Sequence, residues 1–288
     1  DPMNQNDNYV DIIQSPRSTG SLLKPFLYAA MLSSGEIMPN SLVADIPVQI
    51  GGFAPQNFNQ KFDGAVPAAR ALARSINIPA VKMLQKFKVE KFHSFLRRIG
   101  MTKLKDDPGY YGLALILGGA EGTLLDMASM YAGMARTVKH YIDYERQYDP
   151  AEFRPLNFLK ERNFNTSYKE RKPYLSESGI LSASAAWITL EALLRVERPE
   201  EDMSWENYSS SRKVAWKTGT SFGFRDGWAI GVDAKYVVGV WIGNADGEGR
   251  PGITGIGSAA PVMFDLFNLL PYSSEWVLQH YEEITEAD

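Results

Sequence analysis

Three short motifs that lie far apart in the chain place the strongest constraint on its fold. Ser-x-x-Lys stands at residues 21–24, Ser-x-Asn at 75–77 and Lys-Thr-Gly at 217–219. The first falls at the expected start of a helix, the second in a turn between two helices, and the third in a strand. Each motif is weak evidence on its own. Their order and settings together predict a fold that brings a hydroxyl, an amine, a polar turn and a strand-borne cation into one cleft.

The first motif supplies a nucleophile and a base. A serine and a lysine three residues apart lie on one face of a helix. Cap-forming residues 18–20 precede the apolar run 22–31, so we expect Ser21 in the first turn of a helix from about 20 to 34. A serine hydroxyl needs an adjacent base, and Lys24 can serve when burial lowers its pKa. The alternative is a capped helix with a surface lysine.

Composition excludes several classes of function. The 288 residues are 44% hydrophobic, enough for one large core or two closely packed subdomains. The net charge of -4, without a long run of Lys or Arg, argues against nucleic acid as the main partner. There is no cysteine, and the three histidines lack metal-ligand spacing, so we predict neither a metal nor a cofactor. No apolar run reaches the roughly 18 residues that a membrane span needs.

Periodicity divides the chain into a helical middle and a strand-rich final third. Strand-like runs at 214–220, 227–232 and 236–243 are joined by short turns, which predicts an antiparallel meander followed by a helix over 259–270. Helical patterns precede them at 67–74, 79–87, 89–99, 124–134 and 181–194. The pattern predicts an α+β domain with an antiparallel sheet flanked by helices and an all-helical lobe.

The remaining segments are less regular. Residues 8–14 alternate as a strand would, and 36–66 are rich in Pro, Gly and Asn, which predicts loop with short strands. We interpret 137–178 as an irregular insertion and assign it no function. Residues 1–270 would form one domain, with 271–288 as an acidic linker or tail.

Six segments carry a resemblance to a known family: Arg17–Phe26, Phe53–Phe58, Ala73–Pro79, Trp216–Ser221, Arg225–Gly231 and Gly239–Gly243. They are similar to the transpeptidase domain of class A, bifunctional penicillin-binding proteins, over about residues 8–270. The ordered motif set is typical of penicillin-binding proteins and class A β-lactamases. The resemblance implies a β-lactamase/transpeptidase-like fold.

The resemblance also implies a function and a cellular place. The chain would cross-link peptidoglycan stem peptides by D,D-transpeptidation and would bind β-lactam antibiotics covalently. Its parent would be held at the periplasmic face of the inner membrane by an N-terminal helix and would carry a glycosyltransferase domain, both outside this chain. Proteins of cell-wall synthesis would be possible partners.

By the same resemblance, five side chains form the catalytic set. Ser21 would attack a D-Ala-D-Ala peptide bond with Lys24 as the base. Ser75 would relay a proton to the departing amine, and Asn77 would hold the substrate amide and the lysine. Lys217 would supply positive potential.

The Lys-Thr-Gly strand would bind the substrate. Residues Thr218, Gly219 and Thr220 would take the donor peptide, with both threonine hydroxyls on its terminal carboxylate. The backbone N–H groups of Ser21 and Thr220 would form the oxyanion hole.

Each single residue also has a plain structural interpretation. Asn77 could cap the next helix, Lys217 could be an exposed strand lysine, and Thr218 could be ordinary β-branched packing. We interpret Phe53–Phe58 and Trp216 as core or cleft wall.

Other functions remain open to different degrees. A β-lactamase needs a deacylating glutamate and asparagine, and Glu152 and Asn157 lack the required spacing, while Glu121 is better explained as a first-turn acid of a helix. A D,D-carboxypeptidase could use the same site with water as acceptor. A β-lactam sensor or a scaffold of the cell-wall machinery is the alternative from another class.

Overall fold

The computed structural model describes residues 11–156, 175–196 and 212–272. Its α-helices are α1 (Lys24–Ser33), α2 (Ala68–Ala73), α3 (Asn77–Phe87), α4 (Val89–Arg98), α5 (Leu124–Asp143), α6 (Ala183–Leu194) and α7 (Ala260–Leu269). Its β-strands are β1 (Arg17–Ser18), β2 (Leu42–Asp45), β3 (Gly64–Pro67), β4 (Glu121–Gly122), β5 (Ala215–Thr220), β6 (Asp226–Val232) and β7 (Val237–Gly243).

The main sheet is the predicted meander. In the described part of the chain its strand order is β5-β6-β7, all antiparallel, with Thr220 opposite Gly227 and Trp228 opposite Trp241. Every residue of β6 is buried, because helices cover both faces. Trp228 and Ile230 face the helical core, whereas Ala229 packs with α7. The layers are therefore helices, sheet and helix, which confirms the predicted α+β class.

Helix α1 is the centre of the helical layer. Every residue from Lys24 to Met31 is buried, as expected for a helix that is apolar on nearly all sides. It packs against α2, α3, α4 and α6. The Tyr131 hydroxyl of α5 donates to Leu22 O at 2.8 Å, which ties the turn before α1 to the lobe. Lys24 and the turn that carries Ser21 are thus positioned by a helix that is buried along most of its length.

The predicted strand over residues 8–14 is wrong where the structure describes it. Residues 12–15 form a turn, closed by Ser15 N–H donating to Ile12 O at 3.1 Å. Asp11 Oδ1 accepts from Ile13 N–H at 3.0 Å, and such local side-chain bonds compete with strand pairing. Residues 8–10 lie outside the described ranges.

Helix α1 begins at Lys24, later than the predicted residue 20. The hydroxyls of Ser18 and Thr19 do not cap it, because they donate to Gly118 O (2.7 Å) and Ala120 O (3.0 Å). Those bonds hold β1 against the segment around β4 instead. Ser21 consequently lies in a turn before the helix.

Two expectations about α5 and its surroundings are also corrected. The helix continues to Asp143, so the first seven residues of the predicted irregular segment 137–178 are helical; residues 157–174 of that segment lie outside the described ranges. Glu121 is an exposed residue of β4, and the first-turn acid of α5 is Asp126, which follows the capping residue Thr123. Of the predicted acidic tail, only residues 271 and 272 are described.

Within the described ranges, no helix combines the length and apolar character that crossing a membrane would require. The same ranges contain no group of three or more metal-ligating acid or histidine side chains.

Candidate active site

Residues of the three motifs meet in one hydrogen-bonded cluster. Lys24 Nζ donates to Ser75 O at 2.7 Å and to Asn77 Oδ1 at 2.7 Å. Ser75 Oγ lies 3.4 Å from Lys24 Nζ and 2.8 Å from Lys217 Nζ. The Ser75 hydroxyl therefore stands between two lysine amines that come from α1 and β5.

Burial excludes the plain interpretations of both lysines. Lys24 is 2% exposed and Lys217 is 1% exposed, so neither is a surface cation. Asn77 is the first residue of α3, and its side chain is directed to Lys24 rather than capping the helix.

The turn that carries Ser21 packs closely against strand β5. A Cβ added to Gly20, which has φ +54°, would lie 2.7 Å from Thr220 N, and one added to Gly219 would lie 2.6 Å from Thr19 O. Both positions therefore require glycine for the backbones to approach this closely. The contact places the Gly20–Ser21 peptide beside Thr220 N.

Ser21 itself is partly exposed at this contact. Its carbonyl accepts from Lys24 N–H at 3.3 Å, which closes the turn that leads into α1. No group in the described residues hydrogen-bonds to its hydroxyl. The hydroxyl is thus available to a substrate, one turn from the lysine.

The outer edge of β5 is open in the described residues. Ser221 N–H donates to Asp226 O at 3.0 Å, towards β6. Because donors alternate along an antiparallel strand, the N–H groups of Thr218 and Thr220 point away from β6. Their side chains are partly exposed, and Thr220 Oγ1 accepts from Gly255 N–H at 3.0 Å. An extended ligand can lie along this edge.

The electrostatics favour the neutral form of the Lys24 amine more than they would for an exposed lysine. Burial, followed by the nearby Lys217 charge, holds the pKa of Lys24 well below its usual value. Burial lowers the pKa of Lys217 to about 7. A neutral Lys24 amine has two N–H donors, which its bonds to Ser75 O and Asn77 Oδ1 use, and one lone pair that can accept a proton; Ser75 Oγ lies 3.4 Å from the same nitrogen.

Sequence reasoning missed two buried polar residues beside the cluster. Asn57 is 5% exposed, and its Oδ1 accepts from Asn77 N–H and Ile78 N–H, both at 3.1 Å. Its Nδ2 donates to Asp45 Oδ1 at 2.7 Å. The sequence gives no local signal for these contacts, because Asn77 and Ile78 are 20 and 21 residues from Asn57 and Asp45 is 12 residues from it, each in another element.

Of the aromatic residues interpreted as core or cleft wall, Trp216 is buried and Phe58 is exposed. Trp216 is fully buried against α7, which confirms it as core. Phe58 is 76% exposed and lines a depression of about 190 Å³ beside Ser75, so it is cleft wall and not core.

The sequence of the chain is similar to those of known proteins. A family model described as the penicillin binding protein transpeptidase domain matches residues 1–268. Penicillin-binding protein 1C of Escherichia coli (strain K12) is 37% identical over 262 residues, covering 91% of this chain and 30% of that protein. Penicillin-binding protein 1B of Vibrio cholerae is 26% identical over 248 residues, covering 84% of this chain and 30% of that protein. The chain thus spans about 30% of the length of these curated relatives.

Solved structures confirm the predicted fold. Penicillin-binding protein 1A from Haemophilus influenzae has a TM-score of 0.68 at 21% identity, covering 93% of this chain and 45% of that one. The penicillin-binding protein PonA1 from Mycobacterium tuberculosis has a TM-score of 0.71 at 20% identity, covering 94% of this chain and 72% of that one.

Proposed function

The chain belongs to the transpeptidase-domain family of penicillin-binding proteins, and from that premise we propose that it is a serine D,D-transpeptidase. It forms an acyl-enzyme at Ser21 with D-Ala-D-Ala stem peptides and cross-links peptidoglycan. The observation that carries the proposal is the buried pair Lys24 and Lys217 joined through Ser75 beside the Ser21 turn.

Acylation uses the neutral amine of Lys24. Ser21 Oγ attacks the carbonyl carbon of the D-Ala-D-Ala bond while its proton moves to Lys24 Nζ. The bonds of Lys24 to Ser75 O and Asn77 Oδ1 fix the direction of the lone pair. The developing oxyanion accepts from the backbone N–H groups of Ser21 and Thr220, an assignment supported by the close approach of Gly20 to Thr220.

Ser75 carries the second proton transfer. Its hydroxyl accepts from Lys217 Nζ at 2.8 Å and can donate on the other side. The proton that Lys24 took from Ser21 passes through the Ser75 hydroxyl to the leaving nitrogen as the peptide C–N bond breaks, and D-alanine departs. Protonated Lys217 supplies positive potential for the donor carboxylate, which also bonds the hydroxyls of Thr218 and Thr220.

The second half-reaction decides between two outcomes. An amine of another stem peptide resolves the ester in a transpeptidase, whereas water does so in a D,D-carboxypeptidase, the alternative for this site. A β-lactamase is disfavoured, because Glu152 bonds to Asp149 N–H and not to any residue of the cluster. A β-lactam sensor or cell-wall scaffold would keep acylation without turnover.

The relatives' length suggests a larger protein around this domain. In it we expect an N-terminal anchor at the periplasmic face of the inner membrane, a glycosyltransferase domain and contacts with cell-wall synthesis proteins. Peptidoglycan stem peptides and β-lactam antibiotics are the expected ligands of the domain itself.

Covalent labelling by a fluorescent penicillin tests the proposal. We expect the native chain to be labelled, Ser21→Ala to be unlabelled, and Ser34→Ala, at the exposed far end of the same helix, to keep its label. A labelled Ser21→Ala protein would refute the assignment of the nucleophile. Rapid loss of label would indicate a β-lactamase.

A thioester substrate with a D-Ala-D-Ala mimic separates the remaining functions. In the presence of a D-amino acid acceptor, a transpeptidase yields the transfer product, and a carboxypeptidase yields only hydrolysis. No turnover with either acceptor, together with stable labelling, would favour the sensor or scaffold.

A further inference from the structure

Helix α3 receives its N-terminal cap from a distant residue. Its own preceding residue, Ile76, has no side-chain acceptor, and the first N–H groups of a helix need partners. Asn57 Oδ1 accepts from the first two of them, those of Asn77 and Ile78, each at 3.1 Å. The cap therefore fixes the helix end that carries Asn77.

The amide of Asn57 has a single orientation that satisfies all its neighbours. Its Nδ2 donates to Asp45 Oδ1 at 2.7 Å and to Lys61 O at 2.8 Å. The flipped amide would face two N–H donors with its NH₂ group and a carboxylate with its oxygen. The arrangement thus requires an amide at this position and an acceptor at Asp45.

Asp45 also reaches the other side of the Ser75 turn. It is 1% exposed, and its Oδ2 accepts from Asp63 N–H at 2.9 Å. The Asp63 carboxylate in turn pairs with Arg74, the residue before Ser75. One buried carboxylate is therefore connected to the chain on both sides of Ser75.

The neighbouring residue Gln56 fixes the side chain of Asn77. Gln56 O accepts from Asn77 Nδ2 at 2.8 Å, so Asn77 Oδ1 is left directed to Lys24 Nζ. The loop that carries residues 56 and 57 therefore sets both the backbone and the side chain of Asn77.

The turn that these contacts hold is a strained one. Ser75 has φ +56°, a left-handed conformation that residues other than glycine adopt at a cost. Such a turn keeps its geometry only when its surroundings over-determine it. Without the contacts on both sides, the Ser75 hydroxyl would not be held between the two lysines.

We propose that Asn57 and Asp45 are positioning residues for acylation, which hold Ser75 and Asn77 in register with Lys24. The inference rests on the proposed function, since it assigns Ser75 and Asn77 to the acylation step. Neither residue touches the reacting atoms. Their loss acts through the placement of the turn, where an error of about 1 Å can cost roughly a hundredfold in rate.

The test follows acylation by penicillin, which first forms a non-covalent complex and then a covalent bond. The dissociation constant of the complex and the rate constant of the covalent step are obtained separately. The variants are Asn57→Ala, Asn57→Asp, Asp45→Asn and the exchange Asp45→Asn/Asn57→Asp. Asn57→Asp keeps an oxygen that caps α3 but places the new carboxylate against that of Asp45. The exchange restores a donor between the two positions, but a carboxylate oxygen at position 57 then faces Lys61 O, so its recovery is expected to be partial.

Asp126→Asn is the matched structural control. Asp126 is also a buried carboxylate, which accepts from Thr102 N–H (3.0 Å) and Thr102 Oγ1 (2.8 Å), and it has no bond to the cluster. Urea unfolding of every variant gives the stability against which the rates are compared.

We expect Asn57→Ala to lower the covalent rate constant about 10- to 100-fold while the dissociation constant changes less than about threefold. Asp126→Asn keeps the native rate within about twofold, and the exchange variant recovers at least about fivefold over Asn57→Asp. A native rate in Asn57→Ala, an equal rate loss in Asp126→Asn, or an exchange variant no faster than Asn57→Asp would overturn the proposal. A native chain that takes no label would overturn the proposed function instead.

Discussion

Replacing Ser75 by glycine and by alanine separates the strain of its left-handed backbone conformation from the role of its hydroxyl. Helix α2 ends in a Schellman motif: Ser75 N–H donates to Leu72 O at 2.9 Å and Ile76 N–H to Ala71 O at 3.0 Å. Glycine is the usual residue at the left-handed position of that motif, which Ser75 occupies with φ +56°. Both substitutions remove the same hydroxyl bonds to Lys24 and Lys217, so those losses cancel in the comparison.

The expected difference in unfolding free energy between the two variants follows from backbone strain and unfolded-chain entropy. Alanine keeps the left-handed strain of about 1–2 kcal/mol, which glycine relieves. Glycine costs about 0.4–1 kcal/mol more in unfolded-chain entropy. Ser75→Gly should therefore be more stable than Ser75→Ala by about 0.5–1 kcal/mol, roughly 1–4 °C in Tm. This order is the reverse of that found at an ordinary helical position.

Urea unfolding measures the difference, and penicillin labelling measures activity. Lys88 provides the control, because it is exposed, has φ +81° and is not part of the cluster. Lys88→Gly should likewise be more stable than Lys88→Ala, and both should be labelled at the native rate. Both Ser75 variants should be labelled at least about a hundredfold more slowly.

An alanine variant of Ser75 as stable as the glycine variant would refute the reasoning, because the left-handed turn would then cost nothing. Fast labelling of either variant would refute the assignment of the hydroxyl to proton transfer.

Three further predictions concern titration and packing. The acylation rate should rise with pH as Lys24 loses its proton, and it should level off well below the ordinary lysine pKa because burial lowers the pKa of Lys24. A rate that still rises at pH 10 would contradict this expectation. Lys24→Arg should be inactive, because the guanidinium stays charged. Gly20→Ala should slow labelling at least about tenfold, since its Cβ would lie 2.7 Å from Thr220 N; an unchanged rate would mean the contact is loose. Burial raises the pKa of Glu152 to about 7. The contribution of this proton to the stability of the fold is therefore complete below the unfolded pKa near 4.5 and is lost as pH rises through 7. Glu152→Gln should remove this pH dependence from the urea midpoint and leave the labelling rate unchanged.

Much of this architecture follows from patterns that are local in the sequence. The alternating runs of the final third predict β5, β6 and β7 within two residues, because strand periodicity and short turns are encoded by neighbouring residues. Helices α4 and α6 are predicted equally well. The motif order predicts which side chains meet, and the hydrogen bonds among Lys24, Ser75 and Lys217 agree with it.

The errors arise where distant parts of the chain compete for polar groups. Ser18 and Thr19 have the composition of a helix cap, but the segment before β4 supplies carbonyls that accept their hydroxyls, so α1 begins later. Asn57 looks like a turn residue and instead caps α3 across the fold. A sequence reveals the hydrogen-bonding capacity of such residues but not their partners.

The contact between the Gly20 turn and strand β5 has a consequence during synthesis. Ser21 leaves the ribosome long before Lys217 does, and until β5 docks, the Gly20 turn lacks its contact with Thr220 and the Ser75 hydroxyl lacks its bond from Lys217. Under the proposed mechanism, a growing chain therefore cannot yet be acylated at Ser21. Under that mechanism reactivity would begin only once β5 has docked, and a covalent label would count only the molecules in which this contact has formed.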